Sequence, residues 1–94
     1  MATFVIKRSG EKEIFDPIKM KNSIRQAAKQ ANLSDERIER LVTKIAAIII
    51  EIATKRGEIN TSEIRTSILK ELAVLEPVVA ETWKNFEREH QKNF

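Results

Sequence analysis

One stretch near the N-terminus decides the fold, Val5-Ile6-Lys7-Arg8-Ser9-Gly10-Glu11-Lys12-Glu13-Ile14-Phe15-Asp16-Pro17-Ile18-Lys19. It predicts a strand, a turn at Ser9-Gly10, a returning strand, and a helix that begins at Asp16-Pro17. Asp can cap the free N–H groups of a first helical turn, and Pro has the backbone angle that this position requires. The hairpin and the helix start should bring Lys7, Arg8 and Lys19 close together, where a helix N-terminus already favours anions.

The hairpin has two possible registers, which differ in the length of the loop. A two-residue loop would place Arg8 opposite Glu11, and a three-residue loop with a left-handed Gly10 would place Lys7 opposite Glu11. We favour the three-residue loop because it gathers polar side chains on one face. That face would carry Val5, Lys7, Glu11, Glu13 and Phe15, while Ile6, Lys12 and Ile14 would share the other, with Ile6 against Ile14.

The rest of the chain predicts four helices and one more short strand. The strands should cover Thr3–Arg8, Glu11–Phe15 and Glu58–Asn60, and the helices should run from about Pro17 to Ala31, from the Ser34 cap to Gly57, from the Thr61 cap to Leu75, and from Pro77 onward. The fold class is therefore α+β, a four-helix bundle capped by a small three-stranded sheet. The order is β-hairpin, two helices, short strand, two helices. At 94 residues we expect a single domain over 1–94, with a core from about 3 to 88.

The composition excludes several kinds of function. The chain has no cysteine, which excludes a disulfide framework, a zinc ribbon and cysteine-radical chemistry within it. The longest apolar run, Ile45 to Ile50, is too short to cross a bilayer, and no signal peptide is visible, so we expect a cytoplasmic protein without a membrane partner. The net charge of +3 suits a phosphate-bearing ligand or weak attraction to nucleic acid.

The opening pattern V-x-K-R-x-G-x-x-E-x-F-D-x-x-K resembles the start of the ATP-cone. This is a small nucleotide-binding regulatory domain of ribonucleotide reductase large subunits and of the reductase-operon repressor. Thr61-Ser62-Glu63-Ile64, after a short strand, resembles the second signature of that family, so the resemblance extends from Val5 to about Phe86. It implies a module that binds ATP or dATP, has no enzymatic activity, and controls a partner activity through changes in association.

The resemblance also implies which residues bind the phosphates. They are basic residues and one hydroxyl: Lys7, Arg8, Lys19, Thr61 and Arg65. A triphosphate needs several cations and free N–H donors, and we expect it to arrive with Mg²⁺, which keeps several of its waters. Some members of the family use one more basic residue from the last helix, for which Lys84, Arg88 and Lys92 are alternatives.

A second set of residues would bind the base. By the same resemblance, Glu13 and Asp16 would accept hydrogen bonds from the exocyclic amine of adenine, and Val5, Met20 and Ile24 would give apolar contact. Adenine needs such an acceptor and an apolar slot.

The chain differs from the usual setting of the family because it has neither a reductase barrel nor a zinc ribbon. It is either a stand-alone cone that acts in trans or an excised domain. The rival interpretation is a small basic nucleic-acid-binding protein that uses the row Lys21, Arg25 and Lys29 on the first helix. No helix-turn-helix pattern and no aromatic stacking platform support that rival.

The last helix carries no catalytic pattern. Trp83 and Phe86 lie on its apolar side, which favours core packing over base stacking. His90 has no carboxylate pair near it in the sequence and is expected on the surface, in a tail that frays.

Helix two predicts self-association. Beside its main apolar stripe, Ala46, Ile50 and Ala53 form a second strip that a domain of this size would leave uncovered. The alternative is that the last helix or the sheet covers this strip. The resemblance favours an oligomer, because ATP-cones act through contacts with one another or with a partner. We therefore expect a homo-oligomer whose size or shape depends on the bound nucleotide, with Ile50 near the contact.

Overall fold

Helices and strands follow one another along the chain in the order that the sequence predicts. The computed structural model describes residues 3–90, and the side chains of residues 3–85. The elements are β1 Phe4–Ile6, β2 Lys12–Ile14, α1 Pro17–Gln30, α2 Asp35–Arg56, β3 Glu58–Asn60, α3 Thr61–Leu75 and α4 Pro77–His90. The α+β class is confirmed. The strands β1 and β2 are shorter than predicted, at three residues each.

The sheet has the order β2-β1-β3, with β1 antiparallel to β2 and parallel to β3. Past the end of β1, the Lys7 N–H donates to the Glu11 carbonyl at 2.8 Å, and Gly10 has φ +90°. The three-residue loop with a left-handed glycine is therefore confirmed. It sets the register in which Val5 lies opposite Glu13.

The outer face of the sheet differs from the prediction. Ile14 lies opposite Phe4 rather than against Ile6, whose partner is Lys12, and Ile14 is 73% exposed. The helices pack against the inner face only, where Val5 and Ile59 are fully buried. A sheet with helices on one side leaves its other face in water, so Ile14 on that face stays exposed.

The helix starts follow the predicted capping residues with one exception. The Asp16 carboxylate accepts the Ile18 N–H at 3.0 Å, and the Ser34 hydroxyl accepts the Arg37 N–H at 3.3 Å. The prediction that Thr61 caps α3 is wrong, because β3 runs directly into the helix and its last residue becomes the cap. Asn60 holds that place and Thr61 is the first helical residue.

The core lies between the four helices and the inner face of the sheet. Helix α1 packs against α2 and α4, α3 packs against α2 and α4, and β3 contacts α2 and α3. Trp83 is fully buried, and its indole N–H donates to the Ser23 hydroxyl at 3.2 Å. Its predicted place in the core is confirmed, while the side chains of Phe86 and His90 lie outside the described residues.

The second strip of α2 is covered within the monomer. Ala46 is 1% exposed and Ala53 is 0% exposed, and the partly buried Ile50 packs against the core. The prediction of an uncovered strip is wrong, because α1, α3 and β3 together surround more of α2 than its main stripe requires. In the described part of the chain, no helix combines the length and apolar character that crossing a membrane requires.

Candidate nucleotide site

The inner face of the hairpin brings two of the predicted ligand-binding residues into contact. Val5 lies opposite Glu13, and side chains two residues apart on a strand share a face. Lys7 therefore points to the same side as Glu13, and its Nζ lies 2.9 Å from the Glu13 Oε1. The Lys7 side chain is 22% exposed and that of Glu13 is 46% exposed. The predicted sharing of this face is confirmed.

The start of α3 lies beside the end of β1. Because β3 is parallel to β1 with Asn60 opposite Ile6, the next residue of each strand leaves the sheet at the same edge. These residues are Lys7 and Thr61, which are far apart in the sequence. Thr61 is half-buried in the first turn of α3, where backbone N–H groups lack helical acceptors and favour an anion.

The start of α1 supplies the next part of the site. Asp16 is exposed and already accepts a hydrogen bond from the Ile18 N–H, so one of its oxygens caps the helix. Lys19 is exposed in the first turn of α1, Arg8 is exposed in the hairpin loop, and Arg65 is exposed one turn into α3. The four predicted cations thus come from three separate elements.

The predicted apolar contacts to the base are not at the surface. Val5, Met20 and Ile24 are fully buried in the core. In this conformation their side chains present almost no surface for a ligand to contact.

Sequence reasoning missed a contact that Arg56, the last residue of α2, makes with the start of α3. Its guanidinium donates to the Glu63 carboxylate at 2.6 Å, and that carboxylate also accepts the Asn60 N–H at 3.4 Å. The hydrogen bond from Arg56 is the main reason that the pKa of Glu63 is lowered. The pair holds the first turn of α3 against the end of α2, so Arg56 is a positioning residue. From the sequence, Arg56 could be interpreted only as a favourable charge at the C-terminus of α2. Its contact with Glu63 depends on the path that the chain takes after the turn at Gly57.

Comparison with known proteins identifies the family of this chain. The family model of the ATP cone domain matches residues 3–90. The chain belongs to the ATP-cone family. The transcriptional repressor NrdR of Pelagibacter ubique (strain HTCC1062) is 29% identical over 90% of this chain, which spans 57% of the repressor's length. The ATP-cone is a regulatory module that binds adenine nucleotides, and the family is regulatory rather than catalytic.

The basic row on α1 of this ATP-cone is not a continuous cationic surface. The Arg25 guanidinium makes two hydrogen bonds to the Glu39 carboxylate, at 2.8 and 3.0 Å. This contact raises the pKa of Arg25 and lowers that of Glu39. On the last helix, the Lys84 Nζ lies 3.6 Å from the Glu81 Oε1. The side chains of the two alternatives to Lys84, Arg88 and Lys92, lie outside the described residues.

A surface depression of about 380 Å³ lies elsewhere on this ATP-cone, between α2 and the α3–α4 junction. It is lined by Arg37, Arg40, Leu41, Lys44, Leu75 and Glu76. The Arg37 guanidinium is already bound by the Glu76 carboxylate, and Arg40 by Glu36. None of the residues predicted to bind nucleotide lines it.

Proposed function

We propose that this ATP-cone binds ATP or dATP between the inner face of its hairpin and the first turns of α1 and α3. One observation supports this most. The parallel pairing of β1 with β3 places Lys7 and the start of α3 at the same edge of the sheet. A basic side chain beside a helix N-terminus is a favourable place for a phosphate group.

The phosphate end of the proposed site combines five side chains. These are Lys7, Arg8, Lys19, Thr61 and Arg65. Four cations offset most of the charge of a triphosphate, and the Thr61 hydroxyl adds a donor in the first turn of α3. Mg²⁺ bound to the triphosphate would supply further positive charge and keep several waters. No cluster of acidic or histidine side chains suited to a metal is found among the described residues, so the phosphates would hold this ion.

The base end of the proposed site uses two carboxylates. Glu13 and Asp16 accept hydrogen bonds, which suits the exocyclic amine of adenine. Guanine carries a carbonyl oxygen at the same ring position, and two acceptors facing each other repel. We therefore propose selection of adenine over guanine. The 2′ position distinguishes ATP from dATP, and no predicted residue is assigned to it.

The bound nucleotide would regulate association rather than chemistry. We propose that it changes how this domain packs on copies of itself or on a partner protein in the cytoplasm. The name of the NrdR relative supports a partner process connected with transcription. Direct binding of nucleic acid by the α1 row is less favoured, because Arg25 is already paired with Glu39.

Titration calorimetry with ATP, dATP, GTP and CTP tests the proposal. We expect ATP and dATP to bind and GTP to bind much more weakly or not at all. Equal affinity for ATP and GTP would remove the roles of Glu13 and Asp16. Release of phosphate from ATP should stay at the background rate, since none of the residues of the proposed site acts as a general base or anchors a metal.

A further inference from the structure

We propose that Glu13 is an internal competitor for the phosphate site, and that it keeps Lys7 bound until a ligand engages both residues. This inference rests on the proposed function, in which Lys7 binds phosphate and Glu13 binds the adenine amine. It makes the Lys7–Glu13 pair a specificity device that favours complete adenine nucleotides over ligands that carry phosphate alone.

The contact itself is close and partly shielded. The Lys7 ammonium lies 2.9 Å from the Glu13 carboxylate, within range of a charge-assisted hydrogen bond. Lys7 is the least exposed of the four predicted phosphate-binding cations, since Arg8, Lys19 and Arg65 are all exposed. A half-buried ammonium has lost part of its water, and the Glu13 carboxylate compensates for that loss.

In the ligand-free protein, Lys7 and Glu13 are each other's partners. A ligand that engages only one of them therefore competes with the ion pair. A free polyphosphate that draws the Lys7 ammonium toward itself weakens the ion pair and leaves the Glu13 negative charge beside the phosphates without a compensating partner. Adenosine that binds Glu13 alone would leave Lys7 without an anion. A nucleotide with an exocyclic amine and a polyphosphate gives each side chain a new partner. The ion pair thus couples recognition of the base to recognition of the phosphates.

A neighbouring carboxylate provides a matched control. Glu11 directly precedes β2 and lies opposite Lys7, as their backbone hydrogen bond shows, so strand alternation places it on the same face as Glu13. Within residues 3–85, the salt bridge of Lys7 is to Glu13 and none is found to Glu11. Glu11→Gln and Glu13→Gln remove the same charge from nearly the same place, but only the second removes a partner of Lys7. Both glutamates are exposed, so either substitution should leave the fold intact.

The experiment measures the affinity of five proteins for inorganic tripolyphosphate and for ATP. These are the wild type, Glu13→Gln, Glu11→Gln, and Glu13→Gln combined with Lys7→Ala, the last compared with Lys7→Ala alone. We expect Glu13→Gln to bind tripolyphosphate about two- to fivefold more tightly, the range that exposed to half-buried ion pairs span. ATP should bind this variant more weakly, because the adenine amine then faces a neutral amide, which is a weaker acceptor than the carboxylate and carries a competing NH2 donor. In the Lys7→Ala background the gain for tripolyphosphate should disappear.

Three results would overturn the inference. The first is an equal gain in Glu11→Gln, which would show a general effect of charge. The second is a gain that persists without Lys7. The third is tripolyphosphate binding by Glu13→Gln that is undetectable or no tighter than in the wild type. If the wild type binds ATP in that third case, the proposed function stands and only the coupling fails. A folded wild type that binds neither ATP nor dATP would instead remove the proposed function.

Discussion

Thr61 carries the most specific prediction for a single residue. It is the first residue of α3, at the edge of the sheet where Lys7 follows β1, although the two residues are 54 positions apart in the sequence. Thr61→Ala removes one donor to a phosphate and should weaken ATP binding by about 1–3 kcal/mol if the lost hydrogen bond is charge-assisted. Calorimetry measures this change. Thr66→Ala, on an exposed position of the same helix, should leave the affinity unchanged.

An equal loss of affinity in Thr66→Ala would mean that the helix responds to the substitution in general rather than to the loss of a phosphate contact. Unchanged affinity in both variants would place the phosphates away from the start of α3.

Glu63 predicts how stability depends on pH. Its pKa in the folded protein is lowered from 4.5, mainly by the hydrogen bond from Arg56. A lowered folded-state pKa stabilises the protein above the unfolded value and loses that effect as the pH falls through the folded value. Glu63→Gln should therefore lower the thermal midpoint at pH 7, and the difference from wild type should shrink steadily on acidification below about pH 4.5.

Thermal unfolding followed by circular dichroism at pH 7 and at successively lower pH measures this difference. Glu51→Gln is the control, because Glu51 forms only an exposed pair with Lys55 one helical turn away. It should shift the midpoint at pH 7 by less than Glu63→Gln does. A gap between Glu63→Gln and wild type that stays constant down to the acid-unfolded range would contradict the assigned ion pair.

At the scale of elements, the hairpin depends on the backbone of Gly10. Its φ is +90°, and a Cβ added there would meet no atom within 4 Å. The cost of Gly10→Ala is therefore backbone strain alone, about 1–2 kcal/mol of unfolding free energy. Gly10→Asn should cost less, because Asn tolerates the left-handed region better. Urea unfolding of the three proteins measures the order Gly, Asn, Ala.

Gly57 offers an independent check of the same argument, since its φ is +78° and the space around it is also open. Gly57→Ala should lower the unfolding free energy by a similar amount, but the strained residue then lies in the turn between α2 and β3. If Gly10→Ala were as stable as the wild type, the loop would have to rearrange into another turn, and the register with Lys7 opposite Glu11 would lose its support.

How far the elements could be predicted from sequence depends on how local their causes are. The hairpin loop, the Asp16 and Ser34 caps and the break at Glu76-Pro77 are set by neighbours in the chain, and all are confirmed. The cap of α3 was misplaced by one residue, because a strand that runs straight into a helix shows no composition change. The Arg56–Glu63 contact was missed because it spans an entire turn and strand.

The candidate site shows the same division between local and long-range causes. The face that Lys7 and Glu13 share follows from strand alternation, and the structure confirms it. The burial of Met20 and Ile24 could be read from helical spacing as a core stripe, yet their full enclosure depends on which helices pack on α1. Spacing alone cannot distinguish an apolar residue that lines a pocket from one that lies beneath it.

For the whole molecule, burial of the second strip on α2 changes what a substitution of Ile50 would test. The oligomer that we expect is not tested by the monomer, but its contact cannot be the Ala46–Ala53 strip, because both alanines are buried and Ile50 packs against the core within one copy. We still expect light scattering to show a change in mass when ATP or dATP is added. The contact responsible would lie on another surface.

Ile50→Glu should now act on folding rather than on association. Ile50 is partly buried against the core, so a carboxylate there loses water without gaining a partner and should cost about 1–3 kcal/mol of unfolding free energy. Ala47→Glu is the matched control on an exposed position of α2, and it should change stability by less than about 0.5 kcal/mol. Both variants, studied below their thermal midpoints, should keep the nucleotide-dependent mass change of the wild type. If Ile50→Glu instead kept full stability and abolished that change, the contact between copies would include α2, and α2 would have to turn out of the core when nucleotide binds.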